Sequence, residues 1–286
     1  MVKPARQIIY TALAFIIIGI IGMLITFSSY KEGAQQTMEE TVSIQDWSFD
    51  RVDINTDNTR IFLQSTDEQE ARVEFEAKGS RSNKYQFDTE LDGNTLVVKV
   101  KERFSWFSFD FFPRSSNLTV YLPVETYESV QAHTANGKLT VQQLEGDVLA
   151  LSTNNGTVEA TGMAGSTFSA RSNNGKISLT SITANTNART NNGKITGNDI
   201  TGEITAETDN GSINLQIKGF DYPMNLRTDN GRVHIISQQQ PTNAILDLRT
   251  SNGRIRAFGT KDWESVYGDG ENKITVRTAN GAIEIE

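Results

Sequence analysis

The sequence predicts an all-β fold: a parallel β-solenoid (β-helix) of Thr-x-Asn-Gly repeats, preceded by one N-terminal transmembrane helix. Three observations carry this reading, namely a repeat of near-constant length, a strand-like alternation on both sides of it, and one long apolar run. Eight Asn-Gly pairs end at Gly137, Gly156, Gly175, Gly193, Gly211, Gly231, Gly253 and Gly281, at spacings of 19, 19, 18, 18, 20, 22 and 28 residues. A Thr or Ser stands three residues before every one of them, at Thr134, Thr153, Ser172, Thr190, Thr208, Thr228, Thr250 and Thr278. Self-similarity at a fixed period of about 20 residues marks a stacked-repeat architecture.

Successive side chains of a strand point to opposite faces, so alternation assigns the inside. Before the corner the inward sets are Val130/Ala132/Thr134, Leu149/Leu151/Thr153, Phe168/Ala170/Ser172, Met224/Leu226/Thr228 and Ile274/Val276/Thr278. After it they are Leu139/Val141, Val158/Ala160, Ile177/Leu179, Ile213/Leu215, Val233/Ile235 and Ile283/Ile285. Each repeat is therefore two short strands with Asn-Gly at the corner between them. Asn-Gly also favours β-hairpins, but an antiparallel meander of this many short strands would leave one apolar face uncovered. Winding each repeat into a coil closes one strand row over the other. The corner Asn and Thr side chains then stack into ladders, and the glycine is expected to supply a positive φ.

The N-terminal helix rests on length. Residues 8–27 form an uncharged, mostly apolar run of about 20 residues, enough to cross a hydrocarbon core of ~30 Å. Lys3 and Arg6 precede it, while Lys31 and Glu32 cancel after it, so the positive-inside rule places the N-terminus in the cytoplasm and the rest outside the cell. The run exceeds a signal-peptide core and lacks a small-x-small cleavage site. The expected organisation is a cytoplasmic tail at 1–7, the transmembrane helix at 8–27, a polar stalk linker at 28–41, irregular β coils or a cap at 42–130, and the Asn-Gly solenoid at 131–286. Within the cap segment Val52/Ile54, Ile61/Leu63, Val73/Phe75, Leu96/Val98/Val100 and Leu118/Val120/Leu122 alternate without the Asn-Gly motif. At the other end the last strand is expected to close the stack, with Glu284 and Glu286 as charges that discourage edge pairing.

Composition narrows the function. A net charge of −8 argues against a general nucleic-acid binder, and the absence of cysteine excludes disulfides, thiol catalysis and Cys-ligated zinc. The only histidines, His133 and His234, lie five repeats apart, and the acids are scattered, so no catalytic set is expected. Asp209-Asn210 and Asp229-Asn230 lack the Gly-Gly-x-Gly-x-Asp pattern of calcium-binding β-rolls, so neither a metal nor a cofactor is expected. Between residues 104 and 112 six aromatics cluster, including Trp106 and Phe107, as either a plug over the solenoid end or a contact for membrane or partner.

The Leu-x-Val-x-Leu-Pro strand at residues 118–123 and the repeated Thr-x-Asn-Gly-x-Ile together resemble the adhesin-like β-solenoid family of bacterial envelope proteins, most closely its LiaG-type membrane proteins. The resemblance spans roughly residues 42–286. It implies an envelope-stress context and no catalytic residues.

The outward faces give the candidate site. Four residues before and one after each corner glycine lie columns rich in cations: Arg171, Arg189, Arg227, Arg249 and Arg277 before it, and Lys176, Lys194, Arg232 and Arg254 after it. Like charges stacked every ~5 Å repel unless an anion or an intervening acid relieves them. The expected function is an extracytoplasmic binding or scaffold module on the cell membrane that contacts an anionic cell-wall polymer or lipid head groups. An accessory subunit of a membrane stress sensor, working through a membrane-protein partner, and a carbohydrate-active β-helix enzyme are the alternatives.

Overall fold

The computed structural model describes residues 10, 15–23, 37–45, 49–78, 84–103 and 115–286. Eight strands come first: β1 (Thr37–Ile44), β2 (Arg51–Thr56), β3 (Arg60–Thr66), β4 (Ala71–Lys78), β5 (Tyr85–Asp92), β6 (Thr95–Glu102), β7 (Ser115–Pro123) and β8 (Thr126–Thr134). Three long ones follow, β9 (Leu139–Thr153), β10 (Val158–Ser172) and β11 (Ile177–Thr190). Shorter strands complete the chain: β12 (Ile195–Thr201), β13 (Ile204–Asn210), β14 (Ile213–Ile217), β15 (Met224–Asn230), β16 (Val233–Ser237), β17 (Ala244–Asn252), β18 (Ile255–Ala257), β19 (Val266–Tyr267), β20 (Asn272–Asn280) and β21 (Ile283–Ile285).

The repeat strands pair in parallel, one coil on the next, and form two rows. The row that arrives at the corner runs β6, β2, β8, the second halves of β9, β10 and β11, then β13, β15, β20 and β17. The row that leaves it runs β7, β3, the first halves of β9, β10 and β11, then β12, β14, β16, β21 and β18. The meander is thus excluded for the repeats. Among the described residues, antiparallel strands occur only beside the ends, where β5 adds to β6, β4 to β7, β1 to β4, and β19 to β17.

The apolar positions read from the alternation line the space between the rows. Ile54, Ile61, Leu118, Leu139, Phe168, Ile177 and Val276 are among the fully buried side chains, in one continuous core. A second corner, six residues past the corner glycine, folds each long strand back. There Gln143, Ser181 and Asp199 take φ of 55°, 53° and 55°, in the left-handed region, and Gly162 takes 69°.

Stack order departs from chain order at both ends. The first coil, β2 with β3, lies between the coil of β6 and β7 and that of β8 and β9. The last coil, β20 with β21, is inserted between β15/β16 and β17/β18. The expectation that the final strand closes the stack is therefore corrected: β21 is paired on both sides, so Glu284 and Glu286 guard no open edge. Beyond β18, Phe258 packs edge-on against Phe220 and Tyr267, with ring centroids 6.1 and 6.2 Å apart, and Trp263 is partly buried beside the core.

Residues 15–23 are helical with exposed apolar side chains, among them Phe15, Ile18 and Met23. Among the described residues no helix is long and apolar enough to cross a membrane. Residues 8–9, 11–14 and 24–27 of the expected span lie outside the described residues, as do Trp106 and Phe107.

Candidate functional site

The corner is built from two ladders. The side-chain amide of each corner Asn donates to the amide oxygen of the Asn one coil back, in an unbroken line through Asn58, Asn136, Asn155, Asn174, Asn192, Asn210, Asn230, Asn280 and Asn252 at 2.6 to 3.0 Å. Inside it, each Thr or Ser hydroxyl donates to the backbone carbonyl of the corner residue one coil back, at 2.8 to 3.3 Å. A hydrogen bond of this kind is worth about 1 kcal/mol net, and the buried hydroxyls would cost more if left unpaired.

The glycine has a different cause from the one expected. None of the eight corner glycines has a positive φ. Instead, a Cβ on Gly175 would sit 1.8 Å from the Gly156 carbonyl oxygen, and one on Gly193 would sit 2.0 Å from that of Gly175. Close stacking of one corner on the next excludes a side chain. The first coil shows the same corner, with Thr56, Asn58 and Thr59 in the Thr, Asn and Gly places; Thr59 is buried, and its hydroxyl meets that of Ser116 at 3.0 Å.

The basic columns follow stack order. The column before the corner runs Asn55, His133, Ser152, Arg171, Arg189, Glu207, Arg227, Arg277, Arg249, so Arg277 stands between Arg227 and Arg249. Carboxylates neutralise much of it. Glu207 pairs with Arg189 at 3.2 Å, Asp229 with Arg227 at 3.1 Å, and Asp247 with Arg249 at 2.6 Å and Arg277 at 3.5 Å. The Arg249 hydrogen bond, helped by the charge of Arg277, holds the Asp247 carboxyl below the usual carboxylate range. After the corner, Lys138 pairs with Glu159 at 2.7 Å and Arg232 with Glu284.

Among the described residues, no carboxylate pairs with Arg171, Lys176 or Lys194. All three are exposed and belong to the adjacent corners of Gly175 and Gly193, where the residue two before the glycine is Asn173 or Asn191 rather than the Asp209 and Asp229 of later coils. Lys194 lies 2.7 Å from the side-chain oxygen of Asn214, with that amide oriented to donate to the Ile213 carbonyl. At Arg171 runs an open groove of about 510 Å³, lined also by Asn173, Asn187, Arg189, Asn191 and Glu207 among others.

A family model described as Toastrack DUF4097 matches residues 49–286. The chain belongs to this family. The Toastrack domain is similar over most of its length to three crystal structures: a candidate adhesin from Bacteroides fragilis NCTC 9343 (13% identity, 89% of this chain and 99% of that one, TM-score 0.44), a candidate cell adhesion protein from Clostridium sporogenes ATCC 15579 (10%, 87% and 99%, 0.32) and a candidate lipid-binding protein from Parabacteroides distasonis ATCC 8503 (12%, 89% and 98%, 0.34). No curated protein matches the chain.

On the Toastrack domain the nine cations expected at the site lie along one edge, but they differ in whether an acid compensates them. Arg171, Lys176 and Lys194 cluster at its middle with no carboxylate partner among the described residues, while Arg189, Arg227, Arg232, Arg249 and Arg277 are held by acids and Arg254 stands at the far end. Sequence reasoning missed Arg60, which continues the column after the corner beyond Lys138, because its coil carries Thr59 in place of glycine. The signal was present as Thr56-x-Asn58. It also missed that the inserted last coil brings His234, Glu284 and Glu286 together, with ligand atoms all within 4.8 Å of one another.

Proposed function

We propose that this Toastrack chain is a membrane-anchored, extracytoplasmic binding module, non-enzymatic, that holds an anionic cell-wall glycopolymer along its corner edge. The observation that carries the reading is the trio Arg171, Lys176 and Lys194, exposed and without a carboxylate partner among the described residues, in a protein of net charge −8. An acidic chain that keeps uncompensated cations on neighbouring coils favours a polyanion there, since each charge is repelled by the next until a counter-anion arrives. The amides of Asn173, Asn187 and Asn191, which share a groove with Arg171, offer donors to phosphate or carboxylate oxygens and to hydroxyls. The apolar run at 8–27 supports an anchor with the domain outside, and the LiaG-type resemblance supports an envelope-stress setting, including an accessory role beside a membrane sensor.

The test is retention of the full chain on purified anionic wall polymer, with anionic vesicles as a second arm. Retention is expected to fall steeply between low and physiological salt, because these charges are exposed. Arg171→Ser/Lys176→Ser/Lys194→Ser should weaken it about tenfold or more, and Arg227→Ser/Arg249→Ser/Arg254→Ser much less. Equal retention by the first triple variant and the native chain would remove the proposal; retention on vesicles alone would move it from glycopolymer to lipid.

A further inference from the structure

The inserted last coil creates a cluster that neither coil has alone. His234 on β16 is in register with Glu284 on β21, and Glu286 follows two residues on, on the same outward face. The His234 ring is largely buried, and its Nε2 has no hydrogen-bond partner although it is shielded from solvent. The nearest carboxylate oxygen, on Glu286, is 3.5 Å away, an ion-pair contact that makes no hydrogen bond. A shielded nitrogen without a hydrogen bond is costly, and a cation shared with the two carboxylates that lie within 4.8 Å would satisfy all three groups.

We propose that His234, Glu284 and Glu286 bind one divalent transition-metal ion of the zinc class, which staples the last coil to the coil before it. One imidazole with two carboxylates is a donor set that zinc accepts, with a fourth position left for water. Bond lengths of about 2.0–2.2 Å place tetrahedral ligands about 3.4 Å apart, so atoms already within 4.8 Å of one another need only small rotamer adjustments. Set against the site is Arg232, whose guanidinium holds Glu284, with Arg256 in register on β18. A metal must therefore compete with Arg232 for one of its ligands, and this competition fixes the sign of the decisive variant.

The experiment titrates zinc chloride into the full chain in detergent, by calorimetry and by thermal unfolding. One ion per chain is expected, with a rise in Tm that grows with zinc concentration, because an ion that binds only the folded chain stabilises it by mass action. His234→Gln and the exposed, isosteric Glu286→Gln should each weaken binding at least tenfold and abolish the Tm rise. Arg232→Gln, which frees Glu284, should tighten binding severalfold, a change that zinc scattered over surface carboxylates would not show. Absence of saturable binding, or the same affinity in His234→Gln and Glu286→Gln as in the native chain, overturns the site and leaves His234 and Glu286 as an ion pair only. Neither result bears on the polymer face at Arg171, Lys176 and Lys194.

Discussion

At each corner the carbonyl of one coil lies 1.8 to 2.0 Å from where a side chain on the next coil's glycine would begin. That contact, and not the backbone dihedral, makes glycine obligatory, and the two causes predict different variants. If a positive φ were required, Asn would be tolerated far better than Ala, because Asn visits the left-handed region readily. With close approach as the cause, Gly175→Ala and Gly175→Asn should be about equally damaging. Each would force the coils apart and cost roughly 2–3 kcal/mol, after allowing for the lower entropy of the unfolded variant. Urea unfolding measures this, and a Gly175→Asn variant close to the native chain in stability would restore the dihedral explanation. The repeat itself was readable from the sequence, since Thr, Asn and Gly recur at fixed offsets. The reason for the glycine was not, because a pattern within one coil does not say how near the next coil comes. Thr59 escaped notice for the same cause: the corner is defined by its stacking partners, and the first coil keeps Thr and Asn while dispensing with glycine.

Among the elements, β21 is the informative one. It has only three residues, and so short a strand has little to hold it by itself. Its backbone is nevertheless tied on both sides: the Ile283 amide donates to the Arg254 carbonyl at 2.9 Å, and the Glu286 amide donates to that of Ile235 at 2.9 Å. Both inward side chains, Ile283 and Ile285, are buried. Native-state hydrogen exchange should therefore find the Ile283 and Glu286 amides protected in the class of Ile195 and Val233, at least ~100-fold slower than unpaired amides of residues 260–265. Exchange at the rate of that loop would mean that the insertion does not persist in solution. Alternation had assigned the faces of this strand correctly, since face assignment needs only period two. Stack order needs more, and the single trace of it was the 28-residue interval from Gly253 to Gly281, against 18 to 20 for most coils. Those extra residues carry the chain past the outermost coil and back.

For the whole molecule, interleaving changes how the stack comes apart. A solenoid with coils in chain order loses its outermost coil as a free tail, at little cost beyond one interface. Here the outermost described coil on that side, β17 with β18, is held on both chain sides, by β16 before it and by β20 after it. Detaching it releases a closed loop over residues 238–271, 34 residues long, not a tail. By the (3/2)RT ln n dependence, such a loop gains roughly 3 kcal/mol less conformational freedom than a tail of equal length. The same geometry explains why the candidate site was only partly readable: cation columns survive a change of stack order, but the acids that cancel them, such as Asp247 shared by Arg249 and Arg277, are fixed by which coil lies beside which. The mechanical consequence can be followed at Trp263, which is partly buried beside the core in the 258–271 segment. In a Trp47→Phe/Trp106→Phe background, Trp263 fluorescence and far-ultraviolet circular dichroism should report one coincident urea transition. A separate Trp263 transition at lower urea would show that the outer coil frays first and that closing the loop confers no protection.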